Sequence, residues 1–394
     1  MRKVCVVTSS RADYDLLRGV LAGVRDSHSL QLQIIVTGMH LSPEFGSTWR
    51  TIEADGFEIS RRVEMLLSSD TAVGITKSIG VGLIGFADAL AELAPDIVVL
   101  LGDRFELLAG ATAALVQRRP IAHIHGGETT EGAFDEAIRH SITKMAHLHF
   151  VAAEPYRKRV IQLGEDPAQV FNVGGLGVDA IRRTTLLTRP QVEAELGFPL
   201  QDRSLLITFH PVTLESTSSV DQFAELLAAL GDLDDTSLLF TLPNADTEGR
   251  RLAAMVSDFV KGSKWAHAFD SLGDPLYLSC MNEVDAVVGN SSSGILEAPA
   301  LQTATVNVGS RQAGRLMASS IVTCAPDRRD IAAAIARVLS PEFKASLVDV
   351  SSPFGSGGAS ALIVAALEEA SLDGILMKHF HDVPVIDSVS EDPS

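Results

Sequence analysis

The sequence is poor in cysteine, in positive charge and in long apolar runs, and each shortage excludes something. Its three cysteines, Cys5, Cys280 and Cys324, lie far apart without metal-ligand spacing, so they read as reduced thiols and not as a metal site. Lys and Arg number 32 against 50 Asp and Glu, and the formal net charge of −18 argues against nucleic acid and anionic membrane surfaces as partners. No apolar stretch reads as long enough to span a bilayer. The amino terminus, MRKVCVVTSSRADYD, reads as a strand start and not as a signal peptide, so the cytoplasm is the expected compartment. Nucleotide signatures are also missing or misplaced. GVGLIG at 80–85 lies inside an apolar helical run, Thr71–Leu93, with no strand before it. Small residues permitting close helix packing explain it better than a dinucleotide site, and the same helix suits a subunit contact.

What is present is a soluble α/β pattern. At 394 residues, 46% hydrophobic and 21% charged, the chain suits two domains better than one. Apolar strands are expected at Lys3–Thr8, Leu32–Thr37, Ile97–Leu101, Ile121–Ile124, His147–Ala152 and Val170–Val173, most of them followed by helical patterns. Gly174–Gly177 reads as a hinge. The alternation then restarts with Ser204–Phe209, Ser237–Leu242, Asp285–Val288 and Thr303–Val306. The expected organisation is a Rossmann-like domain over 1–177, a second over 178–365, and a carboxyl-terminal helix with a disordered acidic tail, DSVSEDPS, over 366–394. Two such sheets are expected to face a central cleft.

The chemistry concentrates between residues 96 and 150. Asp103 and Arg104 follow one strand, His125 and Glu128 follow the next, and Asp135, Glu136 and Arg139 open the helix after it. In an open α/β sheet, groups beyond the carboxyl ends of adjacent strands converge on one crevice. Pairing of Asp103 with Arg104 and of Asp135 with Arg139 is one reading. However, an i,i+4 pair contributes only ~0.2–0.5 kcal/mol, too little to account for the acids crowded into one loop system. Crowded carboxylates raise one another's proton affinity, which suits acid/base work. Ser9, Ser10 and Asp13 can cap the first helix, but Arg11 opposes its dipole unless an anion binds beside it.

In the second half, His210, Asn244 and the GNSSSG turn all follow strands. Ser291 and Ser292 lie in a turn whose backbone N–H groups can receive a diphosphate. That turn lacks a Walker A lysine, so ATP hydrolysis is not suggested. Glu297 can accept both hydroxyls of a ribose, and Arg311 and Arg315 can supply positive charge to a phosphorylated ligand.

Taken together, VTSSRADYDLL, VTGMHL, LGDRFE, IAHIHGGETTEGAFDEAIRHSITKMAHLHF, VFNVGGLG, FHPVTLE, PNAD, GNSSSGILEAPAL and NVGSRQAGR resemble, over most of the chain and in matching order, the hydrolysing UDP-N-acetylglucosamine 2-epimerases of bacterial sialic-acid synthesis. The epimerase half of the vertebrate bifunctional enzyme is similar too. The resemblance implies a glycosyltransferase-B type fold, a homodimer or homotetramer, a UDP-sugar substrate, and no metal or cofactor. It implies elimination of UDP to a 2-acetamidoglucal, then hydration to N-acetylmannosamine. Asp103 and Asp135 match the family's catalytic acids. Arg11 and Arg104 match positions near phosphates or sugar, His210 a phosphate-side histidine, Ser291 and Ser292 the diphosphate turn, Glu297 the ribose acid, Arg311 a nucleotide-site arginine, and Asn244 a weaker match.

His125 departs from the glutamate of the vertebrate and non-hydrolysing enzymes. Glu128 is the candidate for the third acidic role, with His125 as a base. The rivals are the same reaction on UDP-2,4-diacetamido-2,4,6-trideoxy sugars of the legionaminic-acid route, a non-hydrolysing epimerase, a retaining glycosyltransferase on the same fold, and a nucleotide-sugar-binding protein without catalysis.

Overall fold

The computed structural model describes residues 1–69, 71–129, 134–210, 218–242, 247–269 and 272–384. The chain divides into two compact units. The first contains a seven-stranded parallel sheet of β1 (Arg2–Thr8), β2 (Leu30–Thr37), β3 (Arg61–Val63), β4 (Ile97–Leu101), β5 (Ile121–Ile124), β6 (Leu148–Val151) and β7 (Val170–Asn172). Its spatial order is β3-β2-β1-β4-β5-β6-β7. The chain therefore winds outward one way from β1 and the other way from β4. Between those two strands the connections diverge and leave a crevice at the carboxyl edge.

The second unit repeats the plan with β8 (Arg203–Thr208), β9 (Thr236–Thr241), β10 (Ala266–Phe269), β11 (Ala286–Gly289), β12 (Ala304–Val308) and β13 (Ile321–Cys324). The order is β10-β9-β8-β11-β12-β13, with its divergence between β8 and β11.

Central strands of such sheets are covered on both faces, which is why they read as unbroken apolar runs. In β8, Leu205 and Ile207 enter one buried cluster with Phe240 and Val306. Leu206, on the opposite face, joins Leu239, Cys280 and Met281 in another. In the first unit Cys5, Val7, Val98 and Leu100 pack with Phe86, Leu90 and Ile142.

Helix Ala72–Leu93 corrects one expectation, because it is long and apolar enough to cross a membrane. One edge of it nevertheless belongs to the core of the first unit, through Phe86, Ala89 and Leu90. The glycines of GVGLIG permit close packing: a Cβ on Gly82 would lie 2.7 Å from Met65, and one on Gly85 2.7 Å from Val63.

The domain limits also differ from the sequence expectation. The second unit ends at Gly357, and helix Ala359–Glu369 returns to the first unit, packing on helix Arg11–Asp26. Its own apolar face (Ala359, Ile363, Leu367) drives that return, since the residues are buried there. The chain beyond is tied down by Lys378, whose Nζ donates to the Lys144 and Ala146 carbonyls at 2.9 and 2.6 Å. The acidic tail from residue 385 lies outside the described residues.

Lys378 also meets Glu165 at 2.5 Å, as do Lys144 at 2.7 Å and His149 at 2.9 Å. Burial alone would raise the Glu165 carboxyl, but donors from His149, Lys144 and Lys378 outweigh it and hold the group down to about 2. A carboxyl depressed on folding stabilises fully above its ordinary value of 4.5, and that stabilisation is lost as pH falls through about 2. Glu165→Gln is therefore expected to flatten the decline in stability across that window, measured by urea unfolding of both proteins at a series of pH values. Identical pH profiles would refute the assignment.

Candidate functional site

At the carboxyl edge of the first sheet, the turn after β1 is closed by Asp13. Its Oδ2 accepts from the Ser9 and Ser10 amides at 3.0 and 3.1 Å, and Ser10 Oγ donates to Oδ1 at 2.6 Å. Capping accounts for Ser10 and Asp13, as read from sequence. Arg11 is half-exposed at the helix start, with Asp15 3.5 Å away one turn on.

Across the β1/β4 divergence, the charges do not follow the pairing of sequence neighbours that was the alternative to a reacting site. Arg104 turns to Glu106, 2.9 Å away, and Asp103 instead pairs with Arg139. Arg139 also reaches Glu136 Oε2 at 3.1 Å and donates to the Glu128 carbonyl at 3.0 Å. The reason is burial. Arg139 is only 4% exposed, and a guanidinium so placed needs several acceptors, which one helix neighbour cannot supply.

Glu106 was not singled out from the sequence because a first-turn glutamate is ordinarily explained by the helix dipole. Here it is fully buried, its Oε2 has no partner among the described residues, and burial raises its pKa despite Arg104. Burial also raises Asp135, against the opposing pull of Arg104 and Arg139. Arg104 is itself raised: desolvation is outweighed by Glu106, Asp13 and Asp135. Arg104 thus sits among acids from three elements.

His125 follows β5 with φ +63, a left-handed conformation uncommon for a residue with a side chain and one found preferentially at functional sites. Its Nδ1 lies 3.4 Å from Glu128 Oε1. Asp103, Arg104, His125, Glu128 and Asp135 are thus gathered at one sheet edge, with Arg11 on the turn beside them.

The second sheet's edge has a different character. His210, beyond β8, is pushed down to about 4 by burial and by Arg311. It is therefore neutral at physiological pH and can offer an anion a hydrogen bond but not a charge. Asn290, beyond β11 and fully buried, accepts from the His210 amide at 2.7 Å and donates to the His210 carbonyl at 2.8 Å. Arg311 and Gln312 both donate to the Asn290 carbonyl, at 3.0 and 2.9 Å. The sequence reading passed over Asn290 for its serine neighbours, although an asparagine closing a strand was the available signal.

Ser291 Oγ accepts from the Ser293 amide at 3.3 Å, and Ser293 Oγ donates to Glu297. The helix expected after Ser292 is a single turn, Ser293–Leu296, followed by a 3-10 turn. Its dipole is therefore weaker than the sequence reading assumed, because the macrodipole sums over aligned peptides. Asn244 lies outside the described residues.

The family model described as UDP-N-acetylglucosamine 2-epimerase matches residues 23–368. A Campylobacter jejuni protein named GDP/UDP-N,N'-diacetylbacillosamine 2-epimerase (hydrolyzing) is 40% identical over 384 residues, 97% of this chain and 99% of that one. Polysialic acid biosynthesis protein P7 of Escherichia coli is 36% identical over 386 residues, 98% of each chain. In fold, the crystal structure of UDP-GlcNAc 2-epimerase from Neisseria meningitidis bound to UDP-GlcNAc matches with a TM-score of 0.73. It covers 93% of this chain and 100% of that one at 17% identity.

Asn290→Ala leaves the amide and carbonyl of His210 without their buried partner. A loss of about 1–3 kcal/mol per unsatisfied group is expected, read by denaturant unfolding. A variant as stable as the parent would show that water or another side chain replaces Asn290.

Proposed function

Because the chain belongs to the UDP-N-acetylglucosamine 2-epimerase family, we propose that it is a hydrolysing 2-epimerase of nucleotide-linked 2-acetamido sugars, with UDP-2,4-diacetamido-2,4,6-trideoxyglucose (UDP-N,N'-diacetylbacillosamine) as its substrate. The observation that carries this reading is the 40% identity, across nearly the whole of both chains, to a relative named for hydrolysis of that sugar nucleotide. UDP-N-acetylglucosamine, the first choice from sequence, becomes the second reading. It is favoured by the family description and by the likeness to the polysialic-acid protein.

In the proposed reaction, a base takes the C2 proton, the C2–H electron pair becomes the C1=C2 double bond, and UDP leaves with the C1–O pair. Water then adds across the 2-acetamidoglucal, hydroxyl at C1 and a proton to the opposite face of C2, giving the 2-epimeric sugar and UDP. The C2 hydrogen is a poor acid, so loss of the proton and stabilisation of the departing diphosphate must be arranged together.

Asp103 and Asp135 are assigned as the catalytic carboxyls. The raised pKa of Asp135 suits a group that must hold or deliver a proton. Glu128, close to His125, is assigned the third acidic role, with His125 as a base. Arg11 and Arg104 are assigned to phosphate or sugar, and Ser291, Ser292 and His210 to the diphosphate as hydrogen-bond donors. Arg311 supplies charge, and Glu297 accepts from the ribose hydroxyls.

Two experiments test this. Incubation in heavy water with the UDP-diacetamido sugar, its GDP counterpart and UDP-N-acetylglucosamine, followed by proton NMR, is expected to show free nucleotide and free 2-epimer carrying deuterium at C2, fastest from the diacetamido substrate. Release without C2 deuterium rules out the elimination, retention of nucleotide on the product points to the non-hydrolysing reaction, and preference for UDP-N-acetylglucosamine selects the second reading. Separately, Asp103→Asn and Asp135→Asn should each abolish turnover while UDP binding persists by calorimetry. Parental turnover in either variant would remove that acid from the mechanism.

A further inference from the structure

His123 lies on β5, fully buried between apolar neighbours, where an imidazole is tolerated only with its nitrogens paired. Both are. Nε2 lies 2.7 Å from the Gly102 carbonyl, and Nδ1 lies 3.0 Å from Thr143 Oγ1. A carbonyl can only accept, so Nε2 carries the hydrogen and Nδ1 accepts from the threonine hydroxyl. Burial pushes the ring down to about 3, so this single neutral tautomer is the one present across the physiological range.

Gly102 follows β4 with φ +86 and immediately precedes Asp103, and its amide donates to the Ile124 carbonyl at 3.0 Å. Its carbonyl is held by His123, so both sides of the Gly102 backbone are pinned to β5. Thr143 belongs to helix Asp135–Met145, which opens with Asp135 and carries Arg139, the partner of Asp103. The turn after His125 closes over the same pair: a Cβ on Gly126 would lie 3.0 Å from Thr143 Oγ1 and 3.1 Å from His123 Nδ1.

We propose that His123 is a positioning residue: a neutral two-ended clamp between the Gly102 carbonyl and Thr143 that sets the spacing of Asp103 from Asp135. It touches neither substrate nor reacting atoms. The inference rests on the reading of those two acids as catalytic. A misplacement of reacting groups of about 1 Å can cost about a hundredfold in rate, so the signature is in kcat. Ground-state binding through phosphate groups elsewhere should hold KM nearly constant.

The test uses His123→Leu, which removes both contacts, His123→Gln, whose amide nitrogen can replace Nε2 as donor to Gly102, and Thr143→Val, which removes only the hydroxyl. His123→Leu is expected to lower kcat for nucleotide release about tenfold to a hundredfold with little change in KM. His123→Gln should recover most of that loss, and Thr143→Val should fall between parent and His123→Leu. Parental kcat in His123→Leu, equal losses in the Gln and Leu variants, or a rise in KM at constant kcat each overturns the proposal. Thermal unfolding accompanies each variant. Should the leucine variant not fold, parental kcat in Thr143→Val overturns the proposal, and an intermediate kcat there with recovery in His123→Gln supports it. If the unaltered protein releases no nucleotide from any substrate, the functional reading falls by itself. Crystal structures of the parent and of Thr143→Val then decide the clamp: a shift of Asp103 relative to Asp135 supports it, and unchanged positions overturn it.

Discussion

The buried guanidinium of Arg139 is the constraint around which the first site is arranged. At 4% exposure it requires acceptors on several sides, and it finds them in Asp103, in Glu136 and in the Glu128 carbonyl. Those groups come from the end of β4, from its own helix and from the loop after β5. A charge held this way is weak evidence for net stability, because desolvation offsets most of the Coulomb attraction. Its effect is on geometry: three segments are drawn to one point, and Asp103 is drawn away from its sequence neighbour Arg104. Arg104 is thereby left to Glu106, with Asp13 and Asp135 also within its field.

The two sheets share one topological device and differ in what they place at it. In each, strand order reverses beside the strand that begins the unit, and the flanking loops carry the polar groups. The first edge gathers carboxyls among arginines. The second, among the described residues, gathers serine hydroxyls, a neutral histidine whose backbone is held by the carboxamide of Asn290, and Arg311 on the Asn290 backbone carbonyl. Burial at the first edge raises the proton affinity of Asp135 and Glu106 against the pull of the neighbouring arginines, and at the second, among the described residues, Glu297 accepts from Ser293 Oγ. That division suits proton transfer at one edge and anion recognition at the other.

The central strands were legible because burial on both faces forces an apolar run with no alternation to obscure it. The strands that escaped notice, Arg61–Val63, Ala266–Phe269 and Ile321–Cys324, all lie at sheet edges. There one side is open, polar residues are tolerated and the strands are short, so no periodic signal accumulates. The return of helix Ala359–Glu369 to the first unit was equally invisible. Its apolar face shows that it packs, and nothing local says against what.

From its residues alone, this chain determined the alternation of strand and helix, the loops that carry polar chemistry and the family it resembles, because those depend on local patterning and on the order of motifs. Only the tertiary structure decided that Arg139 takes Asp103, that Glu106 is buried beneath Arg104, and that Asn290 holds the His210 backbone. Ion-pair and hydrogen-bond partners in a parallel sheet are chosen across strands far apart in sequence. Burial, which makes each such choice obligatory, exists only once the sheets have formed.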